Sequence, residues 1–194
     1  MLSALLLTTL ATAQEVTGGN MPALNAQLFQ PTIDGNHTLW LNDSSIGESK
    51  TWTGRGMVQW LNSPLLYVTE DGESRPLVDD VFQLDLMGGY VAGPVRFGLD
   101  VPLYLRSIND LASETGLGDV AIDLKGGLLD RAEQPVGVAL SARTAFPTST
   151  VNTALGADGL IWEVEGILDR NFGNGLVMLN LGTRGLPEVQ LENV

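Results

Sequence analysis

The chain has 194 residues, 44% of them hydrophobic and only 17% charged, with 10 basic against 23 acidic side chains, a net charge of −13, one histidine and no cysteine. The apolar content exceeds that of disordered chains, which combine low hydrophobicity with high charge, and the length suits one domain. A chain this acidic repels phosphate backbones, which argues against nucleic acid as a partner. The lack of cysteine excludes a disulfide framework, a thiol nucleophile and Cys-ligated metals.

In chain order, residues 1–13 open with the uncharged apolar run Met1 to Leu10 and close on Ala11-Thr12-Ala13, the form of a signal peptide and its cleavage site, although a basic start is missing. Residues 14–36, rich in Gly, Asn and Pro, show no sustained periodicity and read as a leader. From there to residue 194 the pattern has a period of two, which places alternate side chains on opposite faces of a strand. The strongest case is Val95, Phe97, Leu99, Val101, Leu103 and Leu105, which alternate with Arg96, Gly98, Asp100, Pro102, Tyr104 and Arg106. Similar alternation predicts strands at 82–90, 120–125, 136–146, 160–165 and 177–184, with weaker candidates at His37–Asn42 and Thr51–Trp60. About eight strands result, and no run beyond the N-terminus reaches the ~18 apolar residues of a membrane helix.

The connections alternate in length. Tyr90–Pro94, Asp130–Gln134 and Arg170–Gly175 read as tight turns, whereas Asn62–Pro76, Ser107–Gly118 and Pro147–Asp158 are longer and polar. Transmembrane barrels have one rim of short turns and one of long loops, joined by strands of about 9–11 residues. The expected fold is therefore all-β: an antiparallel up-and-down transmembrane barrel with an apolar outside. Asp85, Arg96, Asp100, Arg106, Asp123, Lys125, Arg143, Glu163, Glu165 and Arg184 are expected to face its lumen and to pair across strands. Pro187 to Val194 alternates again, so an open, incomplete barrel is expected, with exposed edges at its first and last strands. A secreted soluble barrel or sandwich that binds an apolar ligand gives the same alternation with the faces exchanged.

Three segments carry a family resemblance: Gly116-Leu117-Gly118-Asp119 opening a strand, Pro135-Val136-Gly137-Val138-Ala139-Leu140 as the return strand, and Phe146-Pro147-Thr148 at its exit. They resemble the N-terminal β-barrel of OmpA-type outer-membrane proteins of myxobacteria and their relatives, over most of residues 24 to 191. The sequence departs from that pattern at Ser149, where glycine is preferred. The resemblance implies the outer membrane of a Gram-negative bacterium, a structural, anchoring or small-solute pore role, and outer-membrane lipid as the surrounding partner. Cell-wall contact in such proteins runs through a further domain that residues 1–194 do not contain.

Chemical motifs are sparse. Gly116 to Asp119 precedes a strand, so it does not read as a phosphate loop. Asp79 and Asp80, with Glu70, Asp71 and Glu73, read as a solvated acidic loop, the alternative being a weak divalent or lipopolysaccharide-bridging site. Glu163 and Glu165 share a strand face but lack the placement of a glycosidase pair, and His37 has no identifiable catalytic companions. Asn36-His37-Thr38 and Asn42-Asp43-Ser44 match glycosylation sequons by chance. No enzyme activity, cofactor or metal is expected.

Overall fold

The computed structural model describes residues 29–33, 38–68, 71–108, 113–151 and 155–187. Its regular elements are all strands: β1 (Trp52–Val68), β2 (Ser74–Ala92), β3 (Val95–Ile108), β4 (Ser113–Leu117), β5 (Ala121–Leu129), β6 (Gly137–Ala145), β7 (Ile161–Phe172) and β8 (Gly175–Gly185). They form one antiparallel sheet in the order β1-β2-β3-β5-β6-β7-β8, with β4 paired to β3 beside this path. The start of β3, Val95–Asp100, pairs with β5, and its end, Leu103–Ile108, pairs with β4. β4 and β5 are thus two pieces of one strand position, interrupted at 118–120. The meander curls into a half-barrel that is open between β1 and β8, which do not pair among the described residues.

Alternation decides which side chains share a face, because residues directly opposite in an antiparallel pair point the same way. Phe97 stands opposite Tyr90 and Leu124, and Leu99 stands opposite Ile122. These belong to the outer, exposed face, together with Trp52, Val58, Trp60, Phe82, Leu86, Leu140, Val164, Leu168, Val177, Leu179 and Leu181. Gln83, Asp85, Arg96, Asp100, Asp123, Lys125 and Asp169 are buried on the other, concave face. Large apolar groups dominate the outer face, while the buried charged groups lie on the inner one beside apolar residues such as Val81, Met87, Val91 and Ile167.

Several expectations are corrected. His37 lies outside the described residues, and Thr38 to Asn42 form no strand. Their backbone is engaged locally and with the wall: Thr32 donates its N–H to the Leu39 carbonyl at 3.0 Å, and Arg55 donates to the Thr38 carbonyl at 3.2 Å. The segment read as the loop Asn62–Pro76 is largely strand, since β1 and β2 run on to Val68 and Ser74. The segment read as the loop Ser107–Gly118 contains β4. Arg106 leaves the charged face. Phe82 opposes Arg106 and Gln83 opposes Tyr104, so Leu105 is an extra residue on β3. Such a bulge shifts the alternation by one, which puts exposed Arg106 beside Phe82 on the outer face and buries Ser107. The signal peptide, most of the leader and the segment after Pro187 fall outside the described residues.

Tight turns at 93–94, 130–136 and 173–174 form one rim. At the other rim the long connection from β6 to β7 folds back under the sheet, where Val151 and Leu155 pack with Val78, Val81 and Tyr104. The Tyr104 hydroxyl donates to the Leu155 carbonyl at 3.0 Å. Leu155→Ala should destabilise the chain by about 2–5 kcal/mol through the cavity it leaves. Tyr104→Phe should cost about 1 kcal/mol, the typical net worth of one hydrogen bond. Denaturant unfolding of both variants checks the order, and a larger loss for Tyr104→Phe would contradict it.

Candidate functional site in the concave face

The inward positions of β2, β3 and β5 to β8 bring nine of the ten sequence-selected charges to one surface, Arg106 being the exception. Arg96 on β3 pairs with Asp123 on β5 at 2.9 Å. Arg143 on β6 reaches Asp100 on β3 at 2.7 Å. Arg184 on β8 stands 4.0 Å from Glu163 on β7, in a more open setting. Asp85 is held by amides, accepting from Gln59 on β1 and Gln83 on its own strand. Ionised groups in so enclosed a place need such partners, because an unpaired buried charge costs several kcal/mol or more.

Sequence reasoning found the wall but missed what lies on it. Residues 29–33 and 38–50 cross the concave face on their way to β1. Asp43 is buried, lying 2.9 Å from Arg131 and 3.5 Å from Lys125, and the Lys125 ammonium also donates to the Asp43 carbonyl at 2.8 Å. Next to it, Ser44 donates both its N–H and its hydroxyl to Asp169 on β7, each at 2.7 Å. Asp169 also receives Arg131 from the β5–β6 turn at 2.6 Å. Farther in, Asn42 donates to Glu165 at 2.7 Å, Arg143 donates to the Pro31 carbonyl at 3.1 Å, and Arg55 reaches the Thr32 carbonyl at 3.3 Å. So Lys125 and Glu165, expected to pair with wall residues, also bond the crossing segment.

This contact explains one glycine of the Pro135 to Leu140 segment. A Cβ on Gly137 would lie 1.9 Å from the Ser44 hydroxyl and 2.3 Å from an Asp169 oxygen. Only a residue without a side chain lets that pair form. Burial weakens the charge on Arg131, but its bonds and attraction to Asp43 and Asp169 outweigh this and hold its pKa above the ordinary value.

The other two resemblance motifs meet at the long-loop rim. Asp119 accepts the N–H groups of Ser149 at 3.0 Å and Ala157 at 2.8 Å. The Thr148 hydroxyl donates to the Gly118 carbonyl at 3.0 Å and accepts from the Val120 N–H at 2.9 Å. Ser149, the departure from the family-like pattern, is thus fixed by Asp119, and its φ is not positive. Both motifs serve to clamp the long connection that carries Val151 and Leu155.

The concave interior is thus crossed by residues 38–50 toward the tight-turn rim and packed by the β6–β7 connection at the other. A cleft of about 260 Å³ remains between the crossing segment and β6 to β8, lined in part by Trp40, Asn42, Arg143, Glu163, Glu165 and Arg184. Glu163 and Glu165 are each engaged there, Glu163 4.0 Å from Arg184 and Glu165 accepting from Asn42. Asp80 accepts from Trp60 at 2.9 Å and Asn62 at 3.1 Å on the outer face. Among the described residues, no group of three or more His, Asp or Glu side chains is placed to hold a metal ion.

Burial pushes the Asp119 carboxyl above its ordinary range, more strongly than the Ala157, Ser149 and Thr148 bonds pull it down. A carboxyl with a raised folded-state pKa gives stability that is fully present below the unfolded value and lost as pH rises through the folded one. Thermal unfolding across the range just above ordinary carboxylate values should therefore show declining stability, and Asp119→Asn should flatten that slope. An unchanged slope in the variant would overturn the assignment. Comparison with protein-family models, curated proteins and solved structures finds no match to this chain.

Proposed function

We propose that this chain is the membrane-embedded wall of an outer-membrane β-barrel in a Gram-negative envelope, with a structural or anchoring role and a resting interior that does not conduct. The observation that carries the reading is the inverted polarity of the sheet: apolar outside, charged inside. Water-soluble monomers rarely expose a contiguous apolar surface beyond a few hundred Å², whereas the lipid face of a barrel must be apolar.

The spacing of aromatic side chains on the outer face also supports this reading. Trp52 lies against Tyr90 with ring centroids 4.5 Å apart, and Trp60 stacks on Phe82 at 5.9 Å. Along β1 the two pairs are eight residues apart, about 26 Å of strand and roughly 20 Å of height at a tilt near 40°. On β7, Trp162 and Phe172 are ten residues apart, about 33 Å of strand and roughly 25 Å of height at a tilt near 40°. Aromatic rows at that separation match the two interfacial girdles of a transmembrane barrel, whose apolar band is about 25 Å tall. Beyond Trp60 the outer face carries the polar Asn62, Asp80 and Arg106 together with exposed Leu66 and Leu105, and near Phe172 the Arg170 guanidinium lies 4.9 Å from the ring centre. A soluble barrel that binds an apolar ligand fits less well, because much of the concave surface it would use is lined by charged and polar side chains.

The protein should fractionate with outer membranes, require detergent for extraction and show heat-modifiable gel mobility; recovery in the soluble fraction would end the reading. Within it, Leu99→Arg places a charge on the lipid face and should impair assembly by about 2–4 kcal/mol. Arg184→Gln changes an inward charge in a more open setting, 4.0 Å from Glu163, and should be much better tolerated. Equal effects of the two changes on folding into vesicles would contradict the orientation.

A further inference from the structure

We infer that the cleft between the crossing segment and β6 to β8 binds a neutral hexopyranose, its ring lying on the Trp40 indole and its hydroxyls meeting Glu163 and Arg184. The site belongs to the inner face of the sheet and does not depend on what surrounds the outer one. Three observations carry it.

First, Trp40 is 70% exposed, yet it lines the cleft on the concave side rather than joining Trp52, Trp60 and Trp162 on the outer face. Its neighbours are fixed. Before it, the Leu39 carbonyl accepts from the Thr32 N–H at 3.0 Å; after it, the Leu41 carbonyl accepts from the Thr38 hydroxyl, and Asn42 donates to Glu165 at 2.7 Å. An uncovered indole on backbone held this way is a preformed apolar platform with a polar N–H at its edge.

Second, the polar groups of the cleft fall into two sets. Asn42 and Glu165 bond each other, and Arg143 bonds Asp100 and the Pro31 carbonyl, so these three are committed to the fold. Glu163 and Arg184 are not. They stand 4.0 Å apart, too far for a hydrogen bond, and neither side chain makes one among the described residues, although they are 36% and 35% exposed. The Gln30 amide on the same lining makes none either. A carboxylate that accepts, a guanidinium that donates and an amide that does both are complementary to neighbouring hydroxyls, each of which donates and accepts.

Third, size and charge narrow the ligand. The cleft measures about 260 Å³, room for one sugar ring. Its two uncommitted charges have opposite signs, so an ion of either sign is drawn by one and repelled by the other. An apolar ligand would leave both without partners, which costs affinity. A neutral pyranose satisfies the whole set, because its C–H face covers the indole while its hydroxyls donate to Glu163 and accept from Arg184.

The full chain, folded in lauryldimethylamine oxide, a detergent without a sugar headgroup, is tested by saturation-transfer NMR. The probes are the methyl glycosides of glucose, galactose, mannose and N-acetylglucosamine, with L-serine as a zwitterion. At least one glycoside should receive saturation at its ring C–H protons, with a Kd in the millimolar range. Trp40→Ala should weaken that binding roughly tenfold, in line with the worth of an aromatic contact, and Arg184→Gln by a similar factor through lost hydrogen bonds. Trp52→Ala, on the outer face, should leave it unchanged. Each variant is first shown to give the heat-modifiable folded form. Transfer to no probe, transfer to serine alone, or unchanged affinity in folded Trp40→Ala and Arg184→Gln would overturn the site and leave the membrane reading standing. Recovery of the chain in the soluble fraction would overturn the membrane reading alone, and the same titration without detergent then decides the site.

Discussion

A curved sheet that places Arg96, Lys125 and Arg143 on its inner surface must bring anions to them, and most of this molecule's organisation follows from that requirement. The strands meet part of it, since Asp123 and Asp100 sit on facing positions of the same surface. Lys125 is answered from outside the sheet, by Asp43. Asp43 in turn shares Arg131 with Asp169, and Asp169 fixes Ser44, so neutralising the wall recruits a segment that has no strand partner of its own. The small size of residues at Gly127 and Gly137 is part of the same arrangement, because side chains there would hold the segment off the wall.

Two contacts of different chemistry result. At the tight-turn rim the contact is ionic and roomy, with a cavity beside it. At the long-loop rim it is apolar and dense, with Leu155 and Tyr104 shielded from water and the loop clamped by Asp119 and Thr148. Ionic contacts depend on a few atoms and on what replaces them, while apolar packing is lost only with the area it buries. The two ends therefore differ in how readily their contacts exchange, and the ionic end is the adaptable one.

Much of the sheet was legible because its physics is local. Alternation at Val95 to Leu105 gives the strand and its two faces, and the same parity places Asp123 with Lys125 and Glu163 with Glu165. Asp169 shares that parity with Glu165 and was readable in the same way. What was not legible depends on tertiary context. The bulge that turns Arg106 outward depends on how β2 and β3 pair, which no residue of β3 reports alone. β4 and the extensions of β1 and β2 lack clean alternation, because sequences such as Asn62-Ser63-Pro64 look like a loop until a partner strand is present. The course of Thr38 to Lys50 across the interior left no periodic trace, since its bonds are made to distant side chains rather than to a neighbouring strand. Asp43 and Arg131, one in that segment and one in a turn, were invisible for the same reason.

The meander also sets a timetable. Almost every pairing joins consecutive strands, so the sheet can grow one hairpin at a time with short loops to close. The crossing segment is synthesised before all of them, yet Asp43 finds Lys125 across 82 residues and Ser44 finds Asp169 across 125. Its seat does not exist until β7 has been added. The part of the described chain that is made first is thus the last to be fixed, and during assembly the concave surface stays wet and its charges hydrated. The desolvation of that surface is deferred to a single late step, when the wall that must receive the segment is already built.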